Sequence, residues 1–314
     1  MNQPRRITLR DATLREGLDT PQVSFSPDEK LCIARALVEA GVADAEIVAP
    51  SRVAKDLEFA RSLRAEGIAL ATSGLIYANR DECAGEIEEA SGVLDRFDLV
   101  MPVSPERLPA DREAKMRMLD DALVHAARHG ADVGAGFPHS LQCDPIFLCD
   151  IAQAAARRGA RRIIVYDTNG SGDPFAVAEL IRALIDRRMG VDLFFHAHND
   201  LGLAAANALA AVTAGAVGLD VTVNGLGDRA GNAALEPVAM ALHLRGFETG
   251  IRLDRLGALS RTVEEASGVP VSKLAPVVGE YVLWHRSPSH LRIPGLFEAY
   301  DPALVRLERK IDES

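Results

Sequence analysis

The feature that most constrains this chain is an alternation. A short β-branched run is followed by an amphipathic stretch of about 12 to 20 residues, and the pair recurs eight times. The runs expected to be strands are Ile7–Leu14, Ala43–Ala49, Ala69–Leu75, Phe97–Val103, Ala131–Phe137, Arg162–Asp167, Val191–His198 and Gly218–Asn224. The stretches expected to be helices are Pro27–Ala40, Val53–Glu66, Arg80–Ala90, Asp111–Arg128, Pro145–Arg158, Pro174–Arg188, Leu201–Ala214 and Ala233–Leu244. Eight βα units joined by right-handed crossovers give an α/β fold of the (β/α)8 TIM-barrel kind. A doubly wound open sheet is the alternative, because a count of strands does not by itself close a sheet.

Local punctuation supports these boundaries. Ser26-Pro27, Asp144-Pro145 and Asp173-Pro174 each put a capping side chain before a proline at the first helical position. Glycines at 41, 67, 130, 159, 190, 215 and 246 fall where helices should end. In the sixth helix Val177, Ile181, Leu184 and Ile185 form an apolar stripe, with Glu179, Arg182 and Asp186 outside it.

After Gly246 the rhythm changes. Leu253–Ser267 reads as one more amphipathic helix, then Gly268-Val269-Pro270 and Pro276 break the chain into loops. The expected division is a catalytic barrel over 1–247 and a short C-terminal arm or subdomain over 248–314, too small for a core of its own. The arm is expected to pack on its own barrel or on a neighbouring subunit.

A length of 314 residues suits a barrel plus an appendage, and 48% apolar with 25% charged residues suits a globular protein with a sizeable core. The net charge of −10 argues against nucleic acid as a partner. No signal peptide is expected, and no unbroken apolar run is long enough to span a membrane. Cys32, Cys83, Cys143 and Cys149 form no CxxC pair, so the compartment expected is reducing cytoplasm. Cys32 and Cys83 lie in helical stretches and are expected to be buried thiols.

The most chemically demanding stretch is His196-Ala197-His198-Asn199-Asp200. Two histidines two apart on a strand share a face and can bind one metal ion. The stretch stands at a strand-to-helix turn, the rim where barrel enzymes place their active sites. Other strand ends add Arg15-Glu16-Gly17, Glu46, Tyr166-Asp167-Thr168-Asn169-Gly170 and the run Asn224 to Asn232. Singly these are ordinary turns, ion pairs and a flexible loop. On one rim they supply a carboxylate, two imidazoles, an amide oxygen and a cation. That set suits a divalent ion, Mg2+, Mn2+ or Zn2+, with positions left for substrate. Glu16, His196 and His198 are the expected ligands, with Asn232 as a fourth. Glu46 would orient ligands or bound water. Arg15 would stabilise a developing oxyanion, and Thr168 would hydrogen-bond a substrate carboxylate.

Arg15-Glu16-Gly17, His196-x-His198-Asn199-Asp200 and Gly225-x-Gly227-x-Arg229-x-Gly231-Asn232-Ala233 resemble the signatures of the DRE-TIM metallolyase superfamily. Within it the chain is most similar to the homocitrate synthase and 2-isopropylmalate synthase branch, and its Arg-Glu form to homocitrate synthase. Gly279-Glu280-Tyr281, His285-x-x-x-x-His290 and Phe297-Glu298-Ala299-Tyr300-Asp301-Pro302 resemble the subdomain that follows the barrel in these enzymes. The resemblance implies an acyltransferase that joins acetyl-CoA to a 2-oxo acid by a Claisen-type condensation. It also implies that His290 is the acid/base histidine, usually donated across a dimer. His285 would only position the arm. His125, His129 and His243 read as surface or packing residues.

Three departures from the family pattern stand out. Around strand five an acid and a later arginine are replaced by Pro138-His139 and Gln142. The resemblance thus implies an acceptor whose distal end is not read by that arginine, with His139 a substitute polar contact or base. The usual Gly-x-His of the tail is Pro288-Ser289-His290. The chain also stops soon after Pro302, so no leucine-type regulatory domain is expected. Three competing readings remain: a lyase or aldolase on the same platform, a metal- and ligand-binding barrel without catalysis, and a non-haem iron oxygenase. The related HMG-CoA lyases carry a cysteine in the loop after strand eight, and Asn224 to Asn232 has none.

Overall fold

The computed structural model describes residues 5–50, 52–104 and 111–311. Its strands are β1 (Thr8–Asp11), β2 (Asp44–Val48), β3 (Ala71–Tyr77), β4 (Phe97–Val100), β5 (Val133–Phe137), β6 (Arg162–Asp167), β7 (Asp192–Ala197) and β8 (Gly218–Val221). They form a closed barrel in chain order. Closure is made by β1 and β8, which run parallel in register from Thr8 opposite Gly218 to Asp11 opposite Val221. That pairing excludes the open sheet.

The surrounding helices are α1 (Pro27–Glu39), α2 (Val53–Ala65), α3 (Cys83–Ala90), α4 (Arg112–Arg128), α5 (Pro145–Arg157), α6 (Pro174–Asp186), α7 (Ala204–Ala214) and α8 (Leu235–Leu244). The expected caps are present. Ser26 and Glu29 form a reciprocal capping box on α1. Asp144 accepts from the Ile146 N–H at 3.0 Å, and Asp173 from those of Phe175 and Ala176 at 2.8 and 3.1 Å. Each cap satisfies an N–H that the first turn leaves without a partner, worth about 1 kcal/mol. α6 buries Val177, Ile181 and Leu184, but Ile185 sits on the margin of the stripe and is 42% exposed.

Several strands end earlier than hydropathy suggests. β1 stops at Asp11 because its carboxylate accepts from both the N–H and the hydroxyl of Thr13, each at 2.9 Å, and turns the chain. β7 stops at Ala197, and His198 instead bridges antiparallel to Asn232. So only His196 of the histidine pair lies within the strand. Cys32 is exposed, contrary to expectation, because α1 turns Ile33, Ala34 and Leu37 inward and leaves Cys32 on the opposite face. Cys83 is buried, and burial pushes its thiol up to about 11.

Beyond α8, α9 (Leu256–Ser267) packs on α1. A two-residue strand β9 (Trp284–His285), a short helix α10 (Pro288–Arg292) and a strand β10 (Lys310–Ile311) complete the tail, with β9 and β10 paired in parallel. Val277 and Val305 join the apolar core of the barrel, so the tail rests on its own barrel at these points. Among the described residues no helix is long and apolar enough to cross a membrane.

Candidate metal centre at the barrel mouth

Glu16 opens a short 3-10 turn after β1, His196 ends the inward face of β7, and His198 follows it. One donor atom from each lies within 4.8 Å of the others. Glu16 Oε1 is 3.5 Å from His198 Nε2, and Glu16 Oε2 is 4.0 Å from His196 Nε2. This is the spacing of donors that share an ion with bonds of about 2.0–2.2 Å. All three are buried, with exposures of 4%, 1% and 7%.

The protonation state of His198 suits ligation. Burial, then the neighbouring His196 and the guanidiniums of Arg229 and Arg15, pushes His198 down to about 2, so its ring is neutral. Asp220 Oδ2 lies 3.1 Å from His196 Nδ1. A carboxylate with no hydrogen can only accept, so Nδ1 donates to it and Nε2 is the ring nitrogen turned toward Glu16. Asn232 Nδ2 lies 3.1 Å from His196 Nε2, and Asn232 Oδ1 is buried with no hydrogen-bond partner. An orphaned amide oxygen beside a carboxylate and two imidazoles fits a divalent cation. Gly227 makes room for it, since a Cβ there would overlap Asn232 Oδ1.

Beneath the site the barrel interior is ionic. Arg10 is wholly buried, donates to Asp220 at 2.7 and 2.9 Å, contacts Asp98 and lies 3.4 Å from Glu46. Arg162 reaches Asp98 from β6 at 3.4 Å. Burial works to raise the Asp220 carboxyl, but Arg10 and the His196 hydrogen bond outweigh it and hold it below the ordinary range. Arg10 is likewise raised, burial being outweighed by Asp220, Asp98 and Glu46. Such a network costs desolvation and tolerates few substitutions. What it does here is hold one carboxylate charged under His196.

Arg15 sits beside Glu16. Its Nε donates to Glu46 Oε1 at 2.6 Å, its Nη2 contacts the same oxygen, and its Nη1 contacts Glu16 Oε2. Glu46, fully buried, therefore touches guanidiniums on both sides. Thr168 Oγ1 accepts from the His139 N–H at 2.8 Å, which leaves its own hydrogen to donate. His139 adopts a left-handed backbone at φ +62° after β5. Gln142, near the same strand end, donates to Ser171 at 3.1 Å. His290 lies on α10, its ring stacked on Phe297 at 3.9 Å and 5.7 Å from that of His285. No hydrogen bond or ring contact joins it to Glu16, His196 or His198 within the described chain. His285 is buried and bonded to Glu298 at 3.2 Å, which also grips Arg309 at 2.6 and 2.8 Å, so it braces the arm.

Sequence reasoning missed Asp220, Arg10 and Asp98, and gave no role to the Arg229–Asp200 pair. Arg229 grips Asp200 at 2.7 and 3.0 Å, Asp228 at 2.9 Å and the Thr168 carbonyl at 2.8 Å, tying the loops after β6, β7 and β8 together. A usable signal existed: Asp98 and Asp220 are charges inside otherwise apolar strands. A cavity of about 460 Å3 opens beside the site between the β8 loop and residues 269–278, reached by Asn199, Asn232 and the buried Glu236.

Fold and site together define a TIM barrel with a two-histidine, one-carboxylate centre at its mouth. The HMGL-like family profile matches residues 6–263, and the chain belongs to that family, within the DRE-TIM superfamily. It is 33% identical over 316 residues to a protein named probable 2-isopropylmalate synthase from Ignicoccus hospitalis, covering 99% of this chain and 79% of that one. It is 35% identical over 320 residues to homocitrate synthase AksA of Methanopyrus kandleri, covering 99% and 80%. Among solved structures, the HMG-CoA lyase from Brucella melitensis superposes with a TM-score of 0.72 at 21% identity, over 84% of this chain and 99% of that one, which shows the shared fold.

Proposed function

We propose that the protein is an acyltransferase that condenses acetyl-CoA with a 2-oxo acid to give a 2-hydroxy-2-(carboxymethyl) acid, as its synthase-named relatives suggest. The observation that carries this reading is the convergence of Glu16, His196 and His198 within 4.8 Å, with Arg15 held against Glu16 by Glu46. A divalent ion bound there supplies Lewis-acid polarisation of a carbonyl oxygen. Asn232 is proposed as its fourth ligand.

The chain's own residues do the rest. Arg15, kept in place by Glu46, donates to the ketone oxygen as it becomes an alkoxide. Thr168 donates its free hydrogen to the substrate carboxylate. His290 is the proposed base for the acetyl methyl group, since an imidazole nitrogen can accept a proton there. Loss of that proton lets the methyl carbon bond to the ketone carbon. The alkoxide then takes a proton, and water cleaves the thioester to release CoA as a thiol. His139 is the proposed polar contact at the β5 end of the acceptor. With uncharged Gln142 beside it, the acceptor proposed is one that needs no arginine at that strand end.

The cavity of about 460 Å3 is large enough for part of a CoA ester. We place the catalytic barrel at 1–247 and the arm at 248–314. Leu274, Ile293 and Leu296 on the arm are 77%, 61% and 73% exposed, and a second copy covering them in a homodimer is the proposed route by which His290 reaches a partner's site. The deciding experiment is a thiol-release screen of a panel of 2-oxo acids with acetyl-CoA, with and without chelator. Release that requires both substrates and is lost with chelator supports the condensation. Cleavage of a hydroxyacyl-CoA without condensation would replace it with a lyase.

A further inference from the structure

A second cluster of metal-type donors lies on the outside of the barrel. His125 and His129 are four residues apart at the C-terminal end of α4, so they share one face of the helix. Glu88 projects from the neighbouring α3. Its Oε1 is 3.3 Å from His125 Nε2 and 3.9 Å from His129 Nε2. The two rings stand 4.9 Å apart between centroids, and the three donor atoms lie within 4.8 Å of one another. Although His125 is only half-buried, its Nε2 is shielded from water and makes no hydrogen bond. A shielded nitrogen without a hydrogen-bond partner, aimed at a carboxylate and a second imidazole, is the pattern a bound cation completes.

From this geometry we propose that α3 and α4 carry a transition-metal site distinct from the barrel-mouth centre, with Glu88, His125 and His129 as ligands and Zn2+ as the preferred ion. Two imidazoles and one carboxylate select a borderline-soft ion over Mg2+ or Ca2+, which favour all-oxygen shells. The unpaired carbonyls that end α4 place partial negative charge near His129 and favour a cation there. A fourth position stays open to water. Because the ligands come from two neighbouring helices on the flank of the barrel, the ion acts as a clip between them and takes no part in the condensation.

The test is Zn2+ stoichiometry. The full chain is stripped with chelator, dialysed against micromolar free Zn2+, and its bound metal counted by mass spectrometry. Wild type should hold two ions per chain. H125A/H129A should hold one, with its circular dichroism and chelator-sensitive activity retained. H196A should hold the other one. Glu88→Gln, which leaves both rings in place, should show the flank ion lost first as free Zn2+ is lowered. If the double variant unfolds, His129→Ala alone, at the exposed end of the helix, serves in its place. An unchanged stoichiometry in a folded H125A/H129A or His129→Ala variant, or a single ion in wild type that disappears in H196A, overturns the proposal. The count at the flank does not depend on which reaction the mouth performs.

Discussion

Glu236 offers a test of the barrel rim by stability alone. It stands in the first turn of α8, 1% exposed, and its two oxygens accept the Asn224 N–H at 3.0 and 3.2 Å. Burial pushes its carboxyl from 4.5 up to about 7, and burial likewise pushes Asp11 from 3.8 to about 7. Because the native state holds the Glu236 proton more tightly than the unfolded chain does, its contribution is fully present below about pH 4.5. It is lost as pH rises through about 7. The rise from 4.5 to about 7 is worth about 3.5 kcal/mol at about 1.4 kcal/mol per tenfold in proton affinity, most of it lost between pH 5 and pH 8. Glu236→Gln keeps an oxygen for the Asn224 N–H and removes the titration. Urea unfolding from pH 5 to 8 should therefore show the variant gaining about 2–3 kcal/mol on wild type across that range, whatever its offset at pH 5. Parallel stability curves for the two proteins would refute the buried, protonated Glu236.

Three further outcomes follow from the mouth. His196→Ala or Glu16→Ala should abolish thiol release with the circular dichroism intact, because either removes a donor from the three-residue set. Asp220→Asn should weaken metal binding about 10- to 100-fold, read by competition with a chromophoric chelator, since the His196 tautomer loses its orienting carboxylate. Gly170→Ala should lower activity and stability together, checked by turnover and urea midpoint. Gly170 has φ +61° and a Cβ there would overlap Asp200, forcing apart the Arg229–Asp200 clip.

What the sequence alone determined is what short-range physics writes. Helix starts were legible at Ser26, Asp144 and Asp173, because a cap and its N–H lie two or three residues apart. The eightfold rhythm was legible because burial of one face imposes its period on every element. Glu16, His196 and His198 were legible as ligand types, since their chemistry is unusual at a strand end.

The tertiary structure decided the rest. Strand ends moved wherever a side chain outcompeted the ladder, as Asp11 does by capturing Thr13. The carboxylate under His196 could not be assigned from its neighbours in the chain, because Arg10, which holds it charged, is 210 residues away. Asp98, which shares Arg10, is 88 residues from it. Only closing β1 against β8 brings these charges into one dry interior, where each is tolerable only because the others are present.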